Sequence, residues 1–379
     1  MSVEQAVKRG RKKNRTEYID YTLLVIIIIL MAFGFVMLYS TSAYMATLKY
    51  GNSIYYLKKQ MMAAGLGAVG GVIFLKVFDY HILDKLSMLI FGAANVVCLA
   101  VNFIGTSSHG QSRWIYIGPI SFQPSELAKM ATIFMIASVV AKKTKALRDF
   151  KNAIKVLCMC LPLTAIIAYN NLSTAIIVIG IAGIMVFVAS PEFKRFFLIL
   201  MGGVAFAGIF VLLASGSYRM QRIQVWLHPE NFTSDSSYQT LQGLYAIGSG
   251  GLFGKGLGES MQKLGFVPEA QNDMIFSIIC EELGLFGAIC VILMYILLLW
   301  RLVLIATKAK DIFGSFVVIG IMAHMALQVI LNIAVVTNTI PNTGITLPFI
   351  SYGGTSIMFL VFEMFVALSV SKGLKLEEV

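Results

Sequence analysis

Residues 21–48, between Asp20 and Lys49, carry no charged side chain, and neither do the stretches from Lys85 to Arg113 and from Arg195 to Arg219. A charge at the centre of a bilayer costs several kcal/mol, and a helix needs about 20 apolar residues to cross one. Each of these gaps therefore fits one membrane-spanning helix. The gap from Lys59 to Lys76 is shorter, but it can span if the lysine stems reach out to the headgroups. Two gaps, Lys155 to Glu192 and Asp311 to Glu363, are too long for one helix. Asn170-Asn171 divides the first and the turn-rich run TNTIPNTG the second. With further spans near 122–141 and 272–300, the spacing predicts an all-α polytopic membrane protein of about ten helices.

Composition points the same way. The chain is 58% hydrophobic and 13% charged, where a soluble domain carries roughly a quarter charged residues. Its 30 Lys and Arg are also unevenly placed. With the N-terminus inside, 21 fall on cytoplasmic segments, eight on outer segments, and Lys129 lies within a span. That asymmetry predicts cytoplasmic termini. The net charge of +11 then reflects basic loops beside anionic lipid, and no nucleic-acid partner is expected. The domain reading is a basic tail over 1–19, a transmembrane domain over 20–372 and a C-terminal tail over 373–379. No cleavable signal peptide is expected, because the first apolar run is too long and lacks a small-residue cleavage site. The five cysteines all lie in apolar runs and read as packing residues without a disulfide framework.

No internal repeat of the kind many transporters show is visible. One loop stands out. Residues 216–271 form a predicted extracytoplasmic segment with six aromatics from Trp226 to Phe266, four basic and four acidic side chains. This composition suits an ordered lid with short interfacial helices. Its glycine-dense run GSGGLFGKGLG lacks the GxxxxGK[ST] order of a phosphate loop, so tight packing is the favoured reading. Its amides could still meet a pyrophosphate.

Ionisable groups inside spans are where chemistry is sought first. Glu126 and Lys129 are three apart and share a helix face. They either tether helices as an ion pair or line a substrate cavity and tune a neighbouring carboxylate. Asp273 lies where the long loop enters a span, a half-shielded setting that raises a carboxyl toward general-base range. A first-turn acid favoured by the helix dipole is the competing account. Of the tandem Glu281 and Glu282, one is expected to pair internally with a cation, and Glu363 with a neighbouring helix. His109, His228 and His324 show no metal-ligand spacing.

Several long segments resemble one family. GQSRWIYIGPISFQPSELAKM, YRMQRIQVWLHPE, the run from YQTLQGLYAIGSGG to PEAQNDMIFSIICEELGLFG, and NTGITLPFISYGGTSIM are similar to the SEDS family (shape, elongation, division and sporulation). DYTLL and YSTSAYMA in the first span resemble its FtsW branch. The likeness runs from Asp20 to Gly373. It implies a peptidoglycan glycosyltransferase that polymerises lipid II on the outer face of the membrane during cell division, using undecaprenyl-pyrophosphate-linked glycan as donor. It implies Asp273 as catalytic residue, acting as general base or as ligand of a divalent cation (Mn or Mg). Arg113, Trp114, Glu126, Lys129 and Ser351 would then belong to the substrate site, and Arg113, Arg222, Lys255 and Lys263 would steady the departing pyrophosphate. A class B penicillin-binding protein and other divisome proteins are the implied partners, beside membrane lipids. The run YNNLSTA departs from the family pattern, with Asn171 where many relatives have a carboxylate. A lipid II flippase, or a non-catalytic divisome scaffold, is the alternative function.

Overall fold

The computed structural model describes residues 19–108, 111–117, 120–190, 194–195, 224–231, 235–372 and 374. The first helix, α1 (Tyr21–Tyr50), starts where Asp20 accepts from the Leu23 amide at 2.9 Å. It ends at Gly51, whose left-handed φ of 66° turns the chain into α2 (Tyr55–Val77). Next come α3 (His81–Ile104), α4 (Pro124–Lys143), α5 (Phe150–Asn170) and α6 (Leu172–Ala189). Asn171 caps α6 by accepting from Thr174, so the expected break at the paired asparagines is where one helix stops and the next begins. Beyond them lie α7 (Asp235–Gly250), α8 (Ile275–Lys308), α9 (Ile312–Val336) and α10 (Thr355–Ser371).

Among the described residues, α1–α6, α8 and α9 are long and apolar enough to cross a membrane, and α10 is a shorter apolar helix. The expected span between Arg195 and Arg219 lies outside the described residues, as do residues 1–18 of the basic tail. One element was not anticipated by the all-α reading. Strands β1 (Thr106–Ser108), β2 (Gln111–Ile117) and β3 (Ile120–Phe122) form a small antiparallel sheet between α3 and α4. The spacing of charges finds helices that span; it is blind to short strands in the connection between two of them.

The spans are not equivalent. In α4, 83% of the most apolar window is buried, against 22–56% in the other seven, so α4 is the central post with lipid-facing helices around it. Helix α10 lies along α2 at very short range. A Cβ on Gly67 would sit 2.6 Å from the Met358 carbonyl oxygen, so only glycine permits this approach. All five cysteines are free; Cys98, Cys160 and Cys280 are buried.

Helix α8 is broken at Gly284 (φ 68°, ψ −168°). Unpaired backbone groups are costly away from water, and here the glycine-rich segment after α7 supplies partners. The amides of Lys255 and Gly256 donate to the Glu281 and Glu282 carbonyls at 2.9 and 3.0 Å. Leu285 and Phe286 donate back to Gly251 and Leu252 at 2.9 and 3.1 Å. Two glycines of this run are needed for close packing: a Cβ on Gly250 would lie 1.9 Å from the Cys280 carbonyl oxygen, and one on Gly254 2.1 Å from that of Glu282.

Candidate active site

After α9 the turn-rich residues 337–354 run without regular structure, and amide and hydroxyl side chains from four helices hold them. From α2, Gln60 donates to the Ser351 carbonyl at 2.9 Å and accepts from the Gly353 amide at 3.3 Å. On α9, Asn332 donates to the carbonyls of Asp273 and Ile345 at 2.8 and 2.7 Å, which ties this segment to the loop before α8. Ser173 of α6 donates to the Thr343 carbonyl, and Asn342 donates to Gln239 of α7. The backbone needs such partners where the segment turns inward, with Ile345 and residues 347–351 buried, because an unpaired amide or carbonyl is expensive there.

The enclosed space is one cavity of about 630 Å³. Its walls come from α2, from Trp114 and Ser121 of the sheet, from α4 and α6, and from residues 344–358. Glu269, Asn272 and Asp273 of the segment before α8 also line it. Pro124 opens α4 at its first turn, and the following turn presents Glu126 and Lys129 to the cavity. Lys129 Nζ lies 2.9 Å from Glu126 Oε1 and both side chains are buried, while Ser356 Oγ donates to Glu126 Oε2 at 3.1 Å. The pair lines the cavity, and Ser356 ties it to α10.

Asp273 is held differently. Gln239 Nε2 reaches its Oδ1 only at 3.5 Å, and no lysine or arginine among the described residues lies within ion-pair distance. Part of its surface opens to the cavity, yet protein surrounds it closely enough that burial pushes its carboxyl up to about 7. The negative charge of Glu269 adds to that rise, and nearby backbone N–H groups oppose it. A carboxyl poised there exchanges protons near neutral pH.

The same corner offers oxygen donors to a hard cation. Asn272 donates through Nδ2 to Glu269, and its buried Oδ1 has no partner. With the carboxylates of Glu269 and Asp273 that makes three oxygen-bearing side chains in one stretch of loop. Among the described residues there is no cluster of three His, Cys, Asp or Glu. The donors fit a Mg²⁺ or Mn²⁺ whose remaining ligands are water or substrate phosphates.

Of the residues expected at the site, Asp273, Trp114, Glu126 and Lys129 share this cavity. Ser351 does not line it; its Oγ accepts from the Leu347 amide at 2.8 Å and shapes the turn beneath. Lys255 and Lys263 are drawn elsewhere. Their ammonium groups each lie 2.7 Å from a buried carboxylate, Glu281 and Glu282 respectively, so neither faces the cavity. The expectation of one internally paired glutamate becomes two, each with its own lysine. Arg113 contributes its backbone to β2, its side chain lies outside what is described, and Arg222 falls outside the described residues altogether. Sequence reasoning missed Lys59, Tyr56, Glu269 and Gln328, all of them cavity-lining. Tyr56, Lys59, Ala63 and Leu66 recur at helical spacing, which was the available signal for the first two.

The fold and motifs agree with known proteins. Residues 21–376 match the profile of the cell cycle protein family FtsW/RodA/SpoVE. The chain is 38% identical to stage V sporulation protein E of Bacillus subtilis, covering 93% of this chain and 97% of that one. It is 36% identical to a protein of Geobacter sp. strain M18 named "probable peptidoglycan glycosyltransferase FtsW", covering 94% and 98%. Among solved structures, a chain from a peptidoglycan synthase complex that coordinates polymerization and crosslinking superposes with a TM-score of 0.77 at 23% identity, covering 93% of this chain and 97% of that one. The rod shape determining protein RodA of Thermus thermophilus gives 0.67 at 24% identity over 93% and 96%. A buried polar cavity among apolar spans, built from the motifs of this group and matched along nearly the whole chain, leads to one assignment: the chain belongs to the FtsW/RodA/SpoVE family of cell cycle proteins, multi-pass proteins of the cytoplasmic membrane.

Proposed function

We propose that this chain is a peptidoglycan glycosyltransferase that polymerises lipid II at the outer face of the membrane, with Asp273 at its reactive centre. The observation that carries the reading is the Asp273 carboxyl, raised to about 7 without a salt-bridge partner among the described residues, in a cavity with polar and apolar walls. In this reaction the 4-hydroxyl of the incoming lipid II GlcNAc attacks the anomeric carbon of the lipid-linked glycan. The new glycosidic C–O bond forms as the bond to pyrophosphate breaks, with inversion. Undecaprenyl pyrophosphate departs, and Asp273 takes the hydroxyl proton. Glu126 and Lys129, already paired with each other, present polar groups for the sugar without adding net charge. Trp114 offers an aromatic surface against which a sugar ring can lie.

The partnerless Oδ1 of Asn272 favours a second role for the same corner. Asp273, Glu269 and Asn272 would hold a divalent cation, which when bound offsets pyrophosphate charge. A single-span transpeptidase, the class B penicillin-binding protein, is the proposed partner for crosslinking the product; this rests on the company kept by the structural relative.

A lipid II flippase is the competing reading, and one observation speaks for it. Polar residues continue deeper than Glu126 and Lys129, because His324 Nδ1 on α9 lies 2.8 Å from Glu363 Oε2 on α10. This pair meets the neighbouring-helix expectation for Glu363, but it is packed shut. Neither residue lines the cavity, which extends to Lys129 and Gln328. The deciding experiment mixes purified wild type or Asp273→Asn with lipid II, Mn²⁺ or Mg²⁺, and the cognate class B partner, and reads glycan length on a gel. Polymer from wild type alone is expected. Equal polymer from both would remove Asp273 from the mechanism, and none from wild type would return weight to the flippase or scaffold.

A further inference from the structure

The cavity has one cation that nothing neutralises among the described residues. Among the described residues, five acidic or basic side chains line it: Lys59, Glu126, Lys129, Glu269 and Asp273. Lys129 is occupied by Glu126 at 2.9 Å. Lys255 and Lys263, which the motifs offered for an anionic leaving group, are bound to Glu281 and Glu282. Lys59 has no described carboxylate within ion-pair distance. Its Nζ lies 4.6 Å from the centroid of the Tyr55 ring, and Tyr55 is itself stacked on Tyr50 with centroids 3.8 Å apart. The ammonium group is steadied by an aromatic face, and its charge remains available.

What lies beside Lys59 defines the ligand. Met62, Ala63 and Leu66 follow on the same wall of α2, and Met358 of α10 joins them in the lining. Leu66 is seven positions on from Lys59, about 10 Å along the helix. The wall thus runs from a cation near the start of a span into apolar surface deeper in it. A compact multiple anion joined directly to a hydrocarbon chain complements both parts. We infer that Lys59 binds the pyrophosphate of a polyprenyl-linked substrate, with the first prenyl units along Met62, Leu66 and Met358. In the polymerase reading, on which the word substrate rests, this is the leaving group, and Lys59 does the work that the sequence assigned to Lys255 and Lys263.

The test measures binding of undecaprenyl pyrophosphate to the purified full-length protein in detergent, beside undecaprenyl monophosphate and inorganic pyrophosphate. Lys59→Met is expected to weaken binding of the lipid pyrophosphate by about 10- to 100-fold, the range for losing a charge-assisted contact. Lys59→Arg should stay within a few fold of wild type. Inorganic pyrophosphate should bind far more weakly than the lipid form; equal binding would overturn the apolar half of the assignment. A second measurement needs no variant. Amine-reactive labelling of wild type, read by peptide mass spectrometry, should be suppressed by the lipid pyrophosphate at Lys59 and not at the exposed Lys58. Undiminished labelling of Lys59, or unchanged binding by a folded Lys59→Met protein, would overturn the proposal. If wild type binds the lipid with Lys59 protected yet makes no glycan from lipid II, the polymerase reading falls and the Lys59 site stands. If Lys59→Met polymerises and binds like wild type, the polymerase reading stands and the Lys59 site falls.

Discussion

Two regions of this molecule gather glutamates, aspartates and lysines away from bulk water, and they are built on opposite terms. At the break in α8, Glu281 meets Lys255 at 2.7 Å and accepts from Ser260. Glu282 meets Lys263 at 2.7 Å and accepts from Ser40 of α1. Each carboxylate there has a lysine and a hydroxyl. In the cavity the count is left open: among described side chains Asp273 has only Gln239 at 3.5 Å, and Lys59 has only an aromatic ring. Removing ions from water is repaid only by near-complete pairing, so an unpaired set persists where a ligand or a reaction uses it. The same residue types therefore mark a structural knot in one place and a site of chemistry in the other.

The contrast can be broken from either side. The largest effect belongs to the open region. Asp273→Asn should lower polymerisation by about 100- to 10,000-fold, the usual worth of a general base, with an unchanged melting curve in detergent. Next comes the closed region. Glu282→Ala strands Lys263 in a buried position, and breaking such a pair costs about 3–5 kcal/mol. Thermal unfolding should show the loss, and the double variant Lys263→Met/Glu282→Leu should recover part of it. If Glu282→Ala instead left the melting curve alone and removed activity, the two regions would have been assigned the wrong way round.

Gly284→Ala sharpens the comparison at intermediate size. A Cβ there would sit 2.4 Å from the Gly254 amide nitrogen, on a backbone with φ of 68°. Strain of this kind is worth about 1–3 kcal/mol, again visible as a lower melting temperature. The smallest effect is on pH. The ionised form of Asp273 is the active one, so the rate should rise with pH through about 7 and fall below it. Glu269 helps raise that value, so Glu269→Gln should move the acidic limb to lower pH. A limb that stays in place would separate Glu269 from Asp273.

Much of this architecture was legible because its signals are local. A gap in the charges specifies a span within about 20 residues. Asn170-Asn171 and TNTIPNTG announce their turns, and Glu126 and Lys129 three apart on a helix must share a face. Asp273 stood out by position and by the resemblance of its surrounding motif. The sheet over 106–122 was not legible, since its strands are too short for periodicity to register.

What the sequence determined by itself is the solvent, the succession of spans and the placing of an acid where the long loop meets a helix. Only the tertiary structure decided which lysines are free. Lys255 and Lys263 look available along the chain, yet they close onto glutamates 26 and 19 residues away. Lys59, read at first as one more charge at a span end, emerges in the cavity beside residues 269–273 and 344–358. The reason is physical. Apolar periodicity is fixed by the geometry of one helix, whereas the partner of a charge is chosen by which distant groups are desolvated beside it.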